Sequence, residues 1–249
     1  MTTPDHETFP NAPIDEAVVE FRVLCEDGAG PGPLERAVAA LRPEYPDAQA
    51  RVELQGTFGV GADGKTVVNA QTRELGLLLR SLDGRWVVFP QVRAVSVSRV
   101  RPYTNWADLE DRVRRVWGVY EPMTRPVAVI RIGVRFINRV LIPESPMLLG
   151  DWFNSGVRLA DGISDRLSEF SFRTVLADEE GRPQAVVGMA TQPRDDKGRT
   201  PVIFDIDVFA DVTLRSDDPA IWLHLGRLRD AKNMIFFRSV TERTKEMLR

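Results

Sequence analysis

Residues 127–140 read VAVIRIGVRFINRV, a stretch rich enough in β-branched residues to predict a strand, yet it carries Arg131, Arg135 and Arg139 at intervals of four. Side chains alternate across a strand. Ala128, Ile130, Ile132, Val134, Phe136 and Val140 therefore share one face, and Val127, Val129, Arg131, Gly133, Arg135, Ile137 and Arg139 the other. The first face belongs to a core. VIFDIDVFADVTL (202–214) follows the same pattern, with Val202, Phe204, Ile206, Val208, Ala210, Val212 and Leu214 inward and Asp205, Asp207 and Asp211 outward. Opposite charges on two such strands predict one antiparallel sheet, with arginine and aspartate rows paired across its non-core face.

Upstream, 16–25 alternates likewise, placing Ala17, Val19, Phe21, Val23 and Cys25 together. The turn cluster EDGAGPGP (26–33) leads into a helix with Leu34, Ala37, Val38 and Leu41 at helical spacing, stopped by Pro43 and Pro46. Strands at about 51–60, 65–80 and 85–101, separated by GADGK and SLDGR, predict a meander. Thr104 or Asn105 can cap the next helix, whose stripe is Trp106, Leu109, Val113, Val116 and Trp117.

The second half repeats this order. It opens with the strand 127–142, followed by a short helix or irregular crossover at GDWFNSGVRL. Strands at 167–177 and 183–192 flank the turn DEEGRP, and a third spans 201–214. One long helix runs from Pro219, with Leu225, Leu228, Ile235 and Phe236 on its stripe. The expected fold is α+β. Two β-α-β-β-β-α units, 14–125 and 126–249, form antiparallel sheet backed by helices, in a helix-grip or TATA-binding-protein-like duplication packed as one globular body. Residues 1–13, with Pro4, Pro10 and Pro13, read as a flexible N-terminal arm.

Composition narrows the chemistry. Of 249 residues, 43% are hydrophobic and 28% charged, enough to bury a full core, and the net charge of −3 disfavours nucleic acid as a partner. Cys25 is the single cysteine and His6 and His224 the only histidines, which excludes a disulfide, a thiolate zinc cage and multi-histidine metal sites. The opening MTTPDHETFPNAP has neither the cationic nor the apolar region of a secretory leader, and no window reaches the length of a membrane span. A cytoplasmic protein without membrane attachment is the expectation.

The candidate binding residues are Arg131, Arg135 and Asn138 on the outward strand face and Arg99, Tyr103 and Trp106 in the corner SRVRPYTNW (98–106). Adjacent arginines suit bidentate recognition of carboxylate or phosphate, and Gly133 between them opens room for a ligand to approach. In the corner, aromatics beside Arg99 and Arg101 can stack bases, or plug the core with arginines laid over the rings. Asp205 and Asp207, two apart on one face, are a weak candidate for a divalent metal, because no third ligand stands at a recognisable spacing. GTFGVGADGK lacks both the P-loop ending and the dinucleotide spacing, there is no GxSxG elbow, and Cys25 faces inward. No catalytic constellation and no cofactor motif is complete.

NAPIDEAVVEFR (11–22), VSRVRPYTNWADL (97–109), IRIGVRFINRVLIP (130–143) and LHLGRLRDAKNMIFFRSVTERT (223–244) together resemble a bacterial family of sporadically distributed proteins of unknown function, of about this length. The likeness spans nearly the whole chain. It implies no catalytic residues. The patchy occurrence resembles that of accessory genes of toxin–antitoxin and phage-defence loci, which implies an interaction role.

Three functional readings follow. The first is a non-enzymatic binding or regulatory module holding another protein through the outward face or the corner, with homo-oligomerisation through Met234, Phe236 and Phe237 of the last helix as a further option. The second is a metal-dependent hydrolase or nuclease built on Asp205, Asp207 and Glu169. The third is a small-molecule pocket between sheet and helices.

Overall fold

In the computed structural model, residues 7–26, 31–60, 66–157, 159–177 and 183–249 are described, with side chains throughout except in 52–75. GADGK, residues 27–30 of EDGAGPGP, residues 178–182 of DEEGRP and the first six residues of the arm lie outside the described residues.

The strand face alternation builds a nine-stranded antiparallel sheet around β1 (Ile14–Leu24) and β6 (Ala128–Ile142), which pair with each other at its centre. On one side of β1 follow β5 (Ala94–Val100), β4 (Trp86–Gln91), β3 (Thr66–Arg80) and β2 (Asp47–Val60). On the other side of β6 lie β11 (Thr200–Leu214), β10 (Gln184–Thr191) and β9 (Ser171–Leu176). A separate two-stranded ribbon joins β7 (Met147–Leu148) to β8 (Arg166–Leu167). The architecture is α+β, a large antiparallel sheet backed by helices.

The helices are α1 (Pro31–Leu41), α2 (Trp106–Thr124), the single turn α3 (Leu149–Trp152), α4 (Ala220–Ser239) and α5 (Glu242–Leu248). Asn105 caps α2 through its side-chain oxygen, which accepts from Asp108 N at 2.9 Å. Leu109, Val113, Val116, Trp117 and Tyr120 bury one face of that helix against the sheet. Glu110–Arg114 and Asp111–Arg115 pairs line its solvent side at i, i+4 spacing.

Strands and helices depart from the expected pattern at four points. The segment 85–101 is a hairpin rather than one strand: it turns at Val92 and Arg93, so the first half contributes four strands after α1. That turn contains no Gly, Asn or Asp, the residues that mark a two-residue hairpin loop in sequence. The segment 167–177 likewise divides into β8 and β9. The long C-terminal helix stops at Val240, which bridges to Phe153, and Thr241 restarts the chain as α5 by accepting from Thr244 N. Finally, alternation slips in β6 at a bulge opposite Arg22 and Val23, so Val129 is buried and Ile130 exposed, the reverse of strict period two.

The stretch read as an arm is packed over residues 7–13. Phe9 is buried against Phe237, with ring centroids 5.6 Å apart. Asn11 N donates to Leu248 O, and Pro13 O accepts from Arg139 N. This strap crosses one end of β6 and α4 and closes a hollow between them.

Candidate functional site

β6 and β11 are neighbours, and their charged rows point to the same side as expected. Arg135 lies opposite Asp207 in register but bonds diagonally to Asp205, Nε to Oδ1 at 2.9 Å and Nη2 to Oδ2 at 2.6 Å. Arg131 donates to Glu20 of β1 at 2.8 Å and stands 3.7 Å from Asp207. Arg139 and Arg101 share Asp15. Burial raises the Asp207 carboxyl, opposed by the nearby Arg131 and Arg135 guanidiniums. The space above Gly133 is filled from within: Arg131 folds over it, and an added Cβ would stand 3.2 Å from Nη1. The same guanidinium lies 4.1 Å from the Phe209 ring centroid. Each arginine of the outward row, Arg131, Arg135 and Arg139, is thus answered by a carboxylate of the same chain. Asp205 carries a bidentate guanidinium, Glu169 is exposed outside any strand, and no group of three potential metal ligands occurs among the described residues.

Asn138 is not on that face. It sits on the inward side, 2% exposed, where Nδ2 donates to Phe204 O at 3.0 Å. Its even number already placed it with Phe136 and Val140, and its polarity misdirected the reading. The corner residues also divide. Arg99 is buried, donates to Pro102 O at 3.1 Å and lies over Trp86, whose ring also receives Arg112, at 4.8 and 4.9 Å from the centroid. Arg99 therefore packs the interior on a ring far from it in sequence. Tyr103 and Trp106 instead face the hollow beneath the strap.

That hollow is a cavity of about 1080 Å³ walled by residues 7–14, the corner 101–106, the end of β6 and the inner face of α4 and α5. Phe9, Tyr103, Trp106, Phe136, Phe236 and Phe237 give it an aromatic lining. Most of its charged groups are matched. Arg101 and Arg139 hold Asp15, Arg199 holds Asp195, and Glu7 holds Arg249.

Two cations on α4 are not matched. Arg229 lies 5.7 Å from the Trp106 ring centroid, and Lys232 places Nζ 3.8 Å from the centroid of Phe136. Neither has a carboxylate partner among the described residues, and the intervening Asp230 does not line the cavity. Lys232 is 8% exposed. Burial, aided by the charge of Arg229, lowers its ammonium to about 7. Tyr103 packs edge-on against the same Phe136 ring at 5.5 Å, and burial holds its phenol protonated well above neutral pH.

Lys232 escaped the sequence reading, although its signal was present. The buried positions of α4 run Ile221, Leu225, Leu228, Lys232, Phe236, Ser239. A lysine therefore occupies a core position of the helical stripe between Leu228 and Phe236, a position absent from the expected stripe of Leu225, Leu228, Ile235 and Phe236. Phe236 and Phe237, weighed as an oligomer edge, are used inside the chain against Phe204 and Phe9, while Met234 is exposed. Cys25 is buried, and its thiol donates to Val92 O at 3.2 Å.

No protein-family model matches this chain, and comparisons with curated proteins and with solved structures also find no match. No helix among the described residues is long and apolar enough to cross a membrane.

Proposed function

We propose that the protein is a small-molecule binding module, of the regulatory kind, whose ligand is an anion with an apolar body held in the cavity under the 7–13 strap. The observation that carries this reading is the pair Arg229 and Lys232, two cations one helical turn apart in an aromatic-lined hollow, neither with a carboxylate partner among the described residues. A buried cation left unpaired is costly, so an incoming carboxylate or phosphate supplies what the fold withholds. Aromatic walls with a few convergent polar groups are the ordinary make-up of a ligand pocket. The outward ladder lacks this feature, because each of its arginines already holds a carboxylate.

Thermal-shift and calorimetric titration test the reading with benzoate and phenyl phosphate against the neutral benzyl alcohol. The anions are expected to raise the melting temperature through preferential binding to the folded chain, and the alcohol is not. Arg229→Gln should weaken anion binding about ten- to a hundredfold, the scale of a charge-assisted hydrogen bond. Equal response to the anions and the alcohol, or no response to any of them, overturns it.

We further infer that the two halves arose by duplication. In each, the opening strand (β1, β6) pairs with the strand just before the closing helix (β5 before α2, β11 before α4), and the remaining strands extend outward in reverse order. The whole-chain resemblance to the sporadically distributed bacterial family, whose patchy occurrence resembles that of accessory genes of toxin–antitoxin and phage-defence loci, is compatible with a regulatory module. It supplies no ligand.

A further inference from the structure

Of 33 cationic residues only four are lysines: Lys65, Lys197, Lys232 and Lys245. The chain uses arginine almost wherever a fixed charge is needed. Arginine keeps its proton in proteins, whereas a desolvated lysine can release it and become a nucleophile. Lys232, buried in the cavity over Phe136 and without an anionic partner among the described residues, therefore has a chemistry that arginine would lack.

Resting on the ligand-pocket reading above, we propose that Lys232 captures a carbonyl compound, an aldehyde or 2-oxo acid with an anionic group, as a reversible imine. The neutral Nζ attacks the carbonyl carbon while the carbonyl oxygen takes up a proton, giving a carbinolamine. Loss of that oxygen as water leaves the C=N bond. No oxidant or reductant is consumed, and hydrolysis releases ligand and lysine unchanged. Arg229, one helical turn earlier on the same face, is placed to hold the ligand's anion. The aromatic walls favour a planar conjugated body beside the Phe136 ring.

The charged and titratable groups lining the same cavity are Arg229 on α4, Arg101 and Tyr103 in the corner, Arg139 on β6, Glu7 on the strap and Arg199 before β11. Arg101 and Arg139 are neutralised by Asp15, Arg199 by Asp195, and Glu7 is held by Arg249, which leaves Arg229 as the charge that disfavours protonation of Lys232. Near neutral pH burial therefore leaves Lys232 a far larger free-amine fraction than an ordinary lysine has.

The test uses the full chain with glyoxylate, pyruvate and 4-formylbenzoate at pH 7, each with cyanoborohydride to reduce any imine, read by intact mass and peptide mapping. The expected result is one added ligand less one oxygen atom, on Lys232 at least about tenfold ahead of Lys197. It should be absent in Lys232→Met, slowed in Arg229→Gln, and suppressed by excess benzoate. Lys232→Met removes a buried charge and keeps the length of the side chain, so loss of labelling in it does not reflect unfolding. Labelling by none of the three probes, or labelling spread evenly over the other lysines and the amino terminus, overturns the imine. If benzoate still stabilises the protein in that case, the anion pocket stands without it. Labelling of Lys232 by neutral benzaldehyde as fast as by 4-formylbenzoate keeps the imine and removes the anion.

Discussion

On the outward side of β6, Arg131 and Arg135 reach carboxylates on both neighbouring strands. On the inward side, past Asn138 and beneath the strap, Lys232 and Arg229 reach only rings. The same strand thus borders two populations of cations. Outside, each arginine holds a carboxylate, and for the half-exposed Arg135–Asp205 pair the energetic worth is small. Inside, Lys232 is buried and neither cation has a carboxylate partner among the described residues, so the lysine carries a desolvation cost and both exert a pull on any anion that enters. A charge row visible in sequence therefore marks register, whereas a charge out of place on a helical stripe marks chemistry.

The largest expected effect breaks the inner member of this comparison. Lys232→Met should stabilise the protein by on the order of 3–5 kcal/mol at pH 6, from the depression of the ammonium from 10.5 to about 7. Below pH 7 the lysine is protonated in both folded and unfolded chains, so its burial penalty is fully present. Between pH 7 and 10.5 the unfolded chain binds the extra proton, wild-type stability rises with pH, and the advantage of the variant shrinks. Urea denaturation at pH 6, 8 and 10 measures it, and an advantage independent of pH would place the lysine in water.

Smaller, and on the same inner side, Asn138→Ala should cost about 1–2 kcal/mol by removing the buried amide that donates to Phe204 O, without altering the salt response of the outer ladder. The smallest effect is outside. A double-mutant cycle on Arg135 and Asp205 should return a coupling of about 0.5–1 kcal/mol that fades in high salt, since the arginine is half exposed. A coupling several times larger, insensitive to salt, would erase the contrast between the faces.

Much of the fold was legible because it rests on local periodicity. β1, β11, α2 and, beyond its bulge, β6 each declare one apolar face over enough residues for the period to be read, and Thr104 or Asn105 marks the start of α2. The turn at Val92–Arg93 and the break at Val240 were hidden, since neither carries a glycine or proline at the point where the chain changes course. Tyr103 and Trp106 were found as candidates for their residue type, but their place in a cavity depends on a strap about ninety residues before them and a helix more than a hundred residues after them.

The sequence by itself determined which strand faces are apolar, that acidic and basic rows could match across one sheet, and that no metal cage of cysteines or histidines is available. Those properties are set by alternation and by which residue types are present. Tertiary structure alone decided that the outer arginines are consumed by Asp15, Glu20 and Asp205, while Lys232 and Arg229 face a hollow with no carboxylate partner among the described residues. Pairing and desolvation depend on distances between segments remote in sequence, and only the closed fold brings β6, α4 and the strap within reach of one another.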